Sequence, residues 1–70
     1  MNYHLVFRRD FLDRNLPICY MEICVGLYNN KDTPINIASK QNEVCNPCER
    51  FVVYESNSKK LSKKSKLIYQ

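Results

Sequence analysis

Seventy residues without an internal repeat make one domain at most, and a chain this short buries only about 60% of its unfolded surface, so its core is marginal without a metal, a disulfide or a partner. The net charge of +4 is unevenly placed: residues 1–55 carry six basic and seven acidic side chains, whereas residues 56–70 carry five lysines and no acid. No apolar run approaches the roughly 20 residues of a membrane span, and the single glycine, Gly26, excludes the glycine-rich loops that cradle nucleotide phosphates. The N-terminus has no charged segment leading into an apolar one, and no glycosylation sequon occurs. These features point to an intracellular, reducing compartment: cytoplasmic, organellar or host cytoplasm. Frequent Asn, Lys, Ile and Tyr match AT-rich coding of a viral, phage or organellar kind.

In chain order, Met1 to Phe7 alternates as a short strand, with Tyr3, Leu5 and Phe7 on one face and His4 and Val6 on the other. From Phe7 the spacing becomes four (Phe7 and Phe11, Leu12 and Leu16), which predicts a short amphipathic helical turn stopped by Pro17. Ile18 to Tyr28 reads as the strongest strand. One face holds Cys19, Met21, Ile23, Val25 and Leu27 toward a core, and the other is mixed. Asn29 to Pro34 has the composition of a turn, and Pro34 to Ala38 then returns as an antiparallel strand. Ser39 to Asn42 connects to Glu43-Val44 and the turn Cys45-Asn46-Pro47-Cys48. Phe51 to Tyr54 is the last clear strand, and Ser56 to Ser58 opens a lysine tail whose Leu67-Ile68-Tyr69 end either docks back or stays free. The expected architecture is small and β-dominated, with α+β as a variant. It has a three- to four-stranded antiparallel sheet or meander, zinc-ribbon-like, with an N-terminal helical turn. Residues 1–55 form the domain and residues 56–70 the basic tail.

The chemistry rests on four cysteines. Cys45 and Cys48, two residues apart on a tight turn, can turn both thiolates toward one metal ion, the spacing of a structural zinc knuckle. Cys19 and Cys24 are five apart. They fall on opposite faces of a regular strand, or about 140° apart on a helix, so a bulge or turn is needed before both reach one ion. The candidate ligands therefore rank Cys45 and Cys48, then Cys24, then Cys19, with His4 as the reserve. The alternatives stay open: structural zinc, unliganded thiols in core and surface, or a disulfide or redox pair.

The run Asn30-Lys31-Asp32-Thr33-Pro34, followed by Cys45-Asn46-Pro47-Cys48 and then Glu49-Arg50-Phe51-Val52-Val53-Tyr54-Glu55, resembles the small zinc-ribbon proteins of bacterial and organellar large ribosomal subunits. It is similar as well to the zinc ribbon of the smallest shared subunit of eukaryotic-type RNA polymerases, in which C-x-x-C precedes an aliphatic strand and a basic stretch. The resemblance spans about residues 24–60. It departs from the ribosomal pattern at the first knuckle, where this chain has Cys19-Tyr20-Met21-Glu22-Ile23-Cys24. It implies a zinc ribbon working inside a ribosomal or transcription assembly.

Two classes of function follow. The first is a non-enzymatic module bound to nucleic acid, RNA foremost, within a larger assembly. In it Arg50, Lys59, Lys60, Lys63, Lys64 and Lys66 neutralise phosphates, and aromatics such as Tyr3, Tyr20, Tyr28, Phe51 and Tyr54 either stack on bases or fill the core. The second is a small viral or phage accessory protein that binds and inhibits a host protein through its sheet, with the cysteines as packing. Neither has a catalytic constellation, a membrane or a small-molecule substrate, so no enzyme is expected.

Overall fold

The computed structural model describes every residue except Met1, Arg14 and Pro17. It is a four-stranded antiparallel sheet with one helix laid on one face. The elements are β1 (Tyr3–Phe11), β2 (Tyr20–Tyr28), α1 (Asp32–Val44), β3 (Glu49–Ser56) and β4 (Lys66–Tyr69). The strand order is β2-β1-β3-β4. Both β2 and β3 run antiparallel to β1, so they are parallel to each other, and β2–α1–β3 is a crossover that carries the chain over β1. No described helix is long and apolar enough to cross a membrane.

β1 is longer than its alternation predicts, and the expected helical turn from Phe7 to Leu16 is not there. Phe7 to Phe11 continue the strand, and β2 does not begin until Tyr20, so the expected strand start at Ile18 and Cys19 falls in the connection. A spacing of four fits a strand face as well as a helix face, because four is a multiple of two. Here Phe7 and Phe11 share a sheet face, while Leu12 and Leu16 are exposed rather than forming a buried stripe. Asp13 shapes the connection: its carboxylate accepts from the Asn15 amide at 2.9 Å and its carbonyl from the Leu16 amide at 2.9 Å. The expected helix stop at Pro17 lies outside the described residues.

The expected strand at Pro34–Ala38 is instead the first half of α1. The Asn30 side chain accepts from the Thr33 amide at 2.9 Å, and Pro34 sits in the first turn, where its missing N–H costs nothing. Pro34 and Ala38, one turn apart, are the buried residues of the helix. The C-terminal half is held by Asn42, whose side chain acts as a strand backbone would. Its Nδ2 donates to the Phe51 carbonyl at 2.9 Å and its Oδ1 accepts from the Phe51 amide at 2.7 Å.

Two small clusters make the core, one on each side of the central strands. Val6, Ala38 and Val53 lie under the helix with Tyr28, Ile35, Phe51, Ile68 and Tyr69 around them. On the opposite face Leu5, Phe7 and Val52 are buried with Tyr54, whose ring meets Phe7 edge-on at 5.5 Å. The supposed tail contributes to this core, because Lys66–Tyr69 closes onto β3 as β4. Gly26 marks a close approach, since a Cβ there would lie 2.7 Å from the Tyr28 ring.

The apolar face assigned to β2 is not the buried one. Met21, Ile23, Val25 and Leu27 are 59%, 43%, 47% and 44% exposed. β2 is an edge strand, and α1 lies mainly over β3. A bulge opposite Val6 and Phe7 also adds Val25 to β2, so the alternation changes face halfway along the strand.

For 70 residues, stability of about 4–10 kcal/mol is expected, so one lost tie is readily measured. Asn42→Ala removes both side-chain bonds to Phe51 and should cost about 1–3 kcal/mol in urea unfolding. Exposed Gln41→Ala should stay within about 0.5 kcal/mol.

Candidate functional site

The sheet's own arginines are occupied internally. Arg8 grips Asp10 through Nε at 2.9 Å and a second nitrogen at 3.1 Å, with Glu49 at 3.8 Å. On the other face Arg9, Glu22 and Tyr54 close a triangle across three strands. Arg9 donates to Glu22 at 3.0 Å and to the Tyr54 hydroxyl at 2.9 Å, and that hydroxyl donates to Glu22 at 2.8 Å. Arg9 also lies 4.5 Å over the Tyr20 ring. Burial raises the Tyr54 hydroxyl above its ordinary value; Arg9 opposes the shift and the bond to Glu22 adds to it. Arg9 itself ends above its usual value, burial being outweighed by its bonds to Tyr54 and Glu22.

Five lysines stand together. Lys59, Lys60, Lys63 and Lys64 are exposed on the 57–65 loop between β3 and β4, and Lys66 opens β4 opposite Glu55. Among the described residues none of the five forms an ion pair. The loop is folded on serine hydroxyls. Ser56 and Ser58 each donate to the Lys60 carbonyl at 3.0 Å, Ser65 Oγ accepts from the Ser62 amide at 2.9 Å, and the Ser65 amide returns to the Ser62 carbonyl at 3.1 Å. These serines went unread in the sequence, although a Ser-x-Ser spacing beside turn composition signals such bonding. Beneath the loop lies a shallow groove of about 100 Å³ lined by Asn2, Glu55, Ser56, Asn57, Lys64 and Lys66. Arg50 stands apart from this group: exposed on β3, it donates to the Gln70 carbonyl.

The cysteines are distributed. Cys45 caps the end of α1, and its thiol points to the Glu49 carbonyl at 3.3 Å. Cys48 is exposed on the following turn, where Asn46 accepts its amide at 2.8 Å. Cys19 and Cys48 approach the same end of β1, their carbonyls accepting from the Leu12 and Phe11 amides at 3.0 and 2.8 Å. Cys24 is exposed midway along β2, and His4 is buried in β1 with Nε2 3.2 Å from Glu55. All four cysteines are free thiols, and among the described residues no group of three or more His, Cys, Asp or Glu is gathered as metal donors.

Comparison of the chain with known protein families, curated proteins and solved structures finds no match.

Two measurements follow. A group whose folded pKa is raised contributes stability fully below its unfolded pKa, near 10 for tyrosine, and loses that contribution as pH climbs through the folded value. Stability should therefore fall above about pH 10, and in an absorbance titration Tyr54→Phe should remove a phenol that titrates above the ordinary tyrosine value. Under native conditions maleimide should label Cys19, Cys24 and Cys48 ahead of half-buried Cys45. One zinc retained in a native mass spectrum, with these thiols protected, would require the Cys45–Cys48 corner and Cys19 to draw together.

Proposed function

We propose that the protein is a non-enzymatic nucleic-acid-binding module whose contact element is the lysine hairpin arm between β3 and β4. The observation that carries this reading is the separation of charge: the arginines of β1 are neutralised within the sheet, while four lysines on a loop folded on its own serines, with Lys66 at the start of β4, form no ion pair among the described residues. An arm with built turns and a strand anchor loses less entropy on binding than a free tail does. The ammonium groups are compact point charges suited to a phosphate backbone, and nothing in the arm reads bases. The expected ligand is therefore RNA or DNA backbone with little sequence preference, RNA foremost. Arg50, occupied by the Gln70 carbonyl, is a strut for the end of β4 rather than a phosphate contact.

Each phosphate neutralised releases counterions, at a log–log slope of about −0.7 to −0.9. If all five lysines engage, the slope is about −3.5 to −4.5, and affinity for a short RNA drops about 100- to 500-fold between 50 and 200 mM salt. Lys63→Gln with Lys64→Gln should reduce the slope by about 1.4–1.8, whereas Arg50→Gln should leave it unchanged. Salt-insensitive binding, or a slope unmoved by the paired lysine change, would sink this reading.

A further inference from the structure

The aromatic residues divide between those that pack and one that does not. Tyr54 meets Phe7 edge-on, and Tyr20 lies under Arg9. Phe51 and Tyr28 pack against the helix-side cluster, Tyr28 with its ring against Gly26. Tyr3 is different. It is half-buried, and among the described residues it belongs to neither core cluster. The core therefore gives no reason for an aromatic ring at this position.

Tyr3 opens β1 on the face away from the helix, two residues before Leu5. Leu27 lies opposite Leu5 on the same face, and Asn29 follows the pair of His4 and Tyr28 just as Tyr3 precedes it. Tyr3, Leu27, Tyr28 and Asn29 line a cavity of about 300 Å³, the lower end of the range for small-ligand sites. The cavity offers a phenol ring, an aliphatic wall and a side-chain amide that both donates and accepts hydrogen bonds. An aliphatic ligand has no use for the ring or the amide. A planar heteroaromatic ring uses all three, by stacking on Tyr3, touching Leu27 and pairing its polar edge with Asn29.

The lysine arm springs from the same end of the sheet. Ser56, at the end of β3, pairs with Tyr3 in register, and its hydroxyl donates to the Lys60 carbonyl at 3.0 Å. The arm is thus tied to the strand beside Tyr3, one strand spacing of about 5 Å away. The shallow groove that holds Lys64 and Lys66 also includes Asn2, the residue before Tyr3. An uncharged aromatic cavity next to a group of cations matches the two parts of a nucleotide, a neutral ring and an anionic phosphate.

We infer that the Tyr3 cavity takes one unpaired base of a single-stranded nucleic acid, stacked on the Tyr3 ring, while the neighbouring phosphates run along the lysine arm. A base can enter only when it is free of its complement, so the site selects single strands, loops and ends over continuous duplex. The inference rests on the proposed binding of a phosphate backbone by the arm, and it adds a base contact that the arm itself lacks.

The test compares a short oligouridine with the same strand in abasic form, which keeps the phosphates and removes the bases. The wild-type protein should bind the oligouridine about 5- to 150-fold more tightly than the abasic strand. Tyr3→Leu should bind the two alike, with the salt slope for each unchanged and with the circular dichroism of the wild type. Equal wild-type affinity for both strands overturns the inference and leaves backbone binding in place. A folded Tyr3→Leu that keeps the wild-type ratio overturns it in the same way. If neither strand binds, the proposed function falls and the base site falls with it. Photo-crosslinking of the wild-type protein to a strand carrying iodouridine needs no substitution, so it decides the matter even where Tyr3→Leu fails to fold. The link should map to Tyr3, and links confined to residues 57–66 overturn the inference.

Discussion

The structure depends on β1 being enclosed on all sides. It is hydrogen-bonded to β2 along one edge and to β3 along the other, and its successive side chains Leu5 and Val6 are buried on opposite faces. Only the face of Val6 lies under a helix. The face of Leu5 is closed by neighbours within the sheet, chiefly Phe7, Val52 and the ring of Tyr54. A chain of this size cannot build two full layers, so it concentrates burial on two central strands and leaves both edges comparatively bare. The fixed position of Tyr54 follows from this arrangement. Its ring serves the core while its hydroxyl joins Arg9 to Glu22, so one side chain ties packing to the charge network across three strands.

Much of the fold was legible in the sequence because strands carry a period of two. Tyr3 to Phe7, Tyr20 to Tyr28 and Phe51 to Tyr54 all lie in strands as their composition indicates. The two errors of type share one cause. Phe7 and Phe11 are spaced for either period, and Pro34-Ile35-Asn36-Ile37-Ala38 is too short a run to declare one. An asparagine just ahead of the helix, which bonds the Thr33 amide, and a proline in the first turn were the available signals for α1, followed by Ala38-Ser39-Lys40-Gln41 without a β-branched residue. Which face of β2 is buried was not legible. Burial there depends on where a helix of another segment comes to rest and on a bulge at Val25, for which the neighbouring Gly26 was the available signal. Of the candidate site, the lysine cluster was plain from charge alone, whereas the serine bonds that give it form were not.

The two kinds of cation are used according to their chemistry. Arg8 and Arg9 present planar, multidentate forks, and each engages its partners with two nitrogens or two acceptors in half-buried positions. The lysines hold strongly hydrated ammonium groups and stay in water on the arm, where no such geometry is required. Residues 1–55 carry six basic and seven acidic side chains, and Arg8 and Arg9 pair directly with Asp10 and Glu22, so the positive excess of the molecule lies in the arm. That polarity is a property of the folded chain and would be poorly defined if β4 did not return the arm to the sheet.

The strand order places the unprotected edge and the charged arm as far apart as a four-stranded sheet allows, with β1 and β3 between them. Two intervening strands set the edges about 14 Å apart, more than a Debye length of about 10 Å at 0.1 M salt, so the charge of the arm is largely screened at β2. An edge left bare and an arm left unpaired, which look like two separate costs to a small domain, are compatible because β1 and β3 keep them apart.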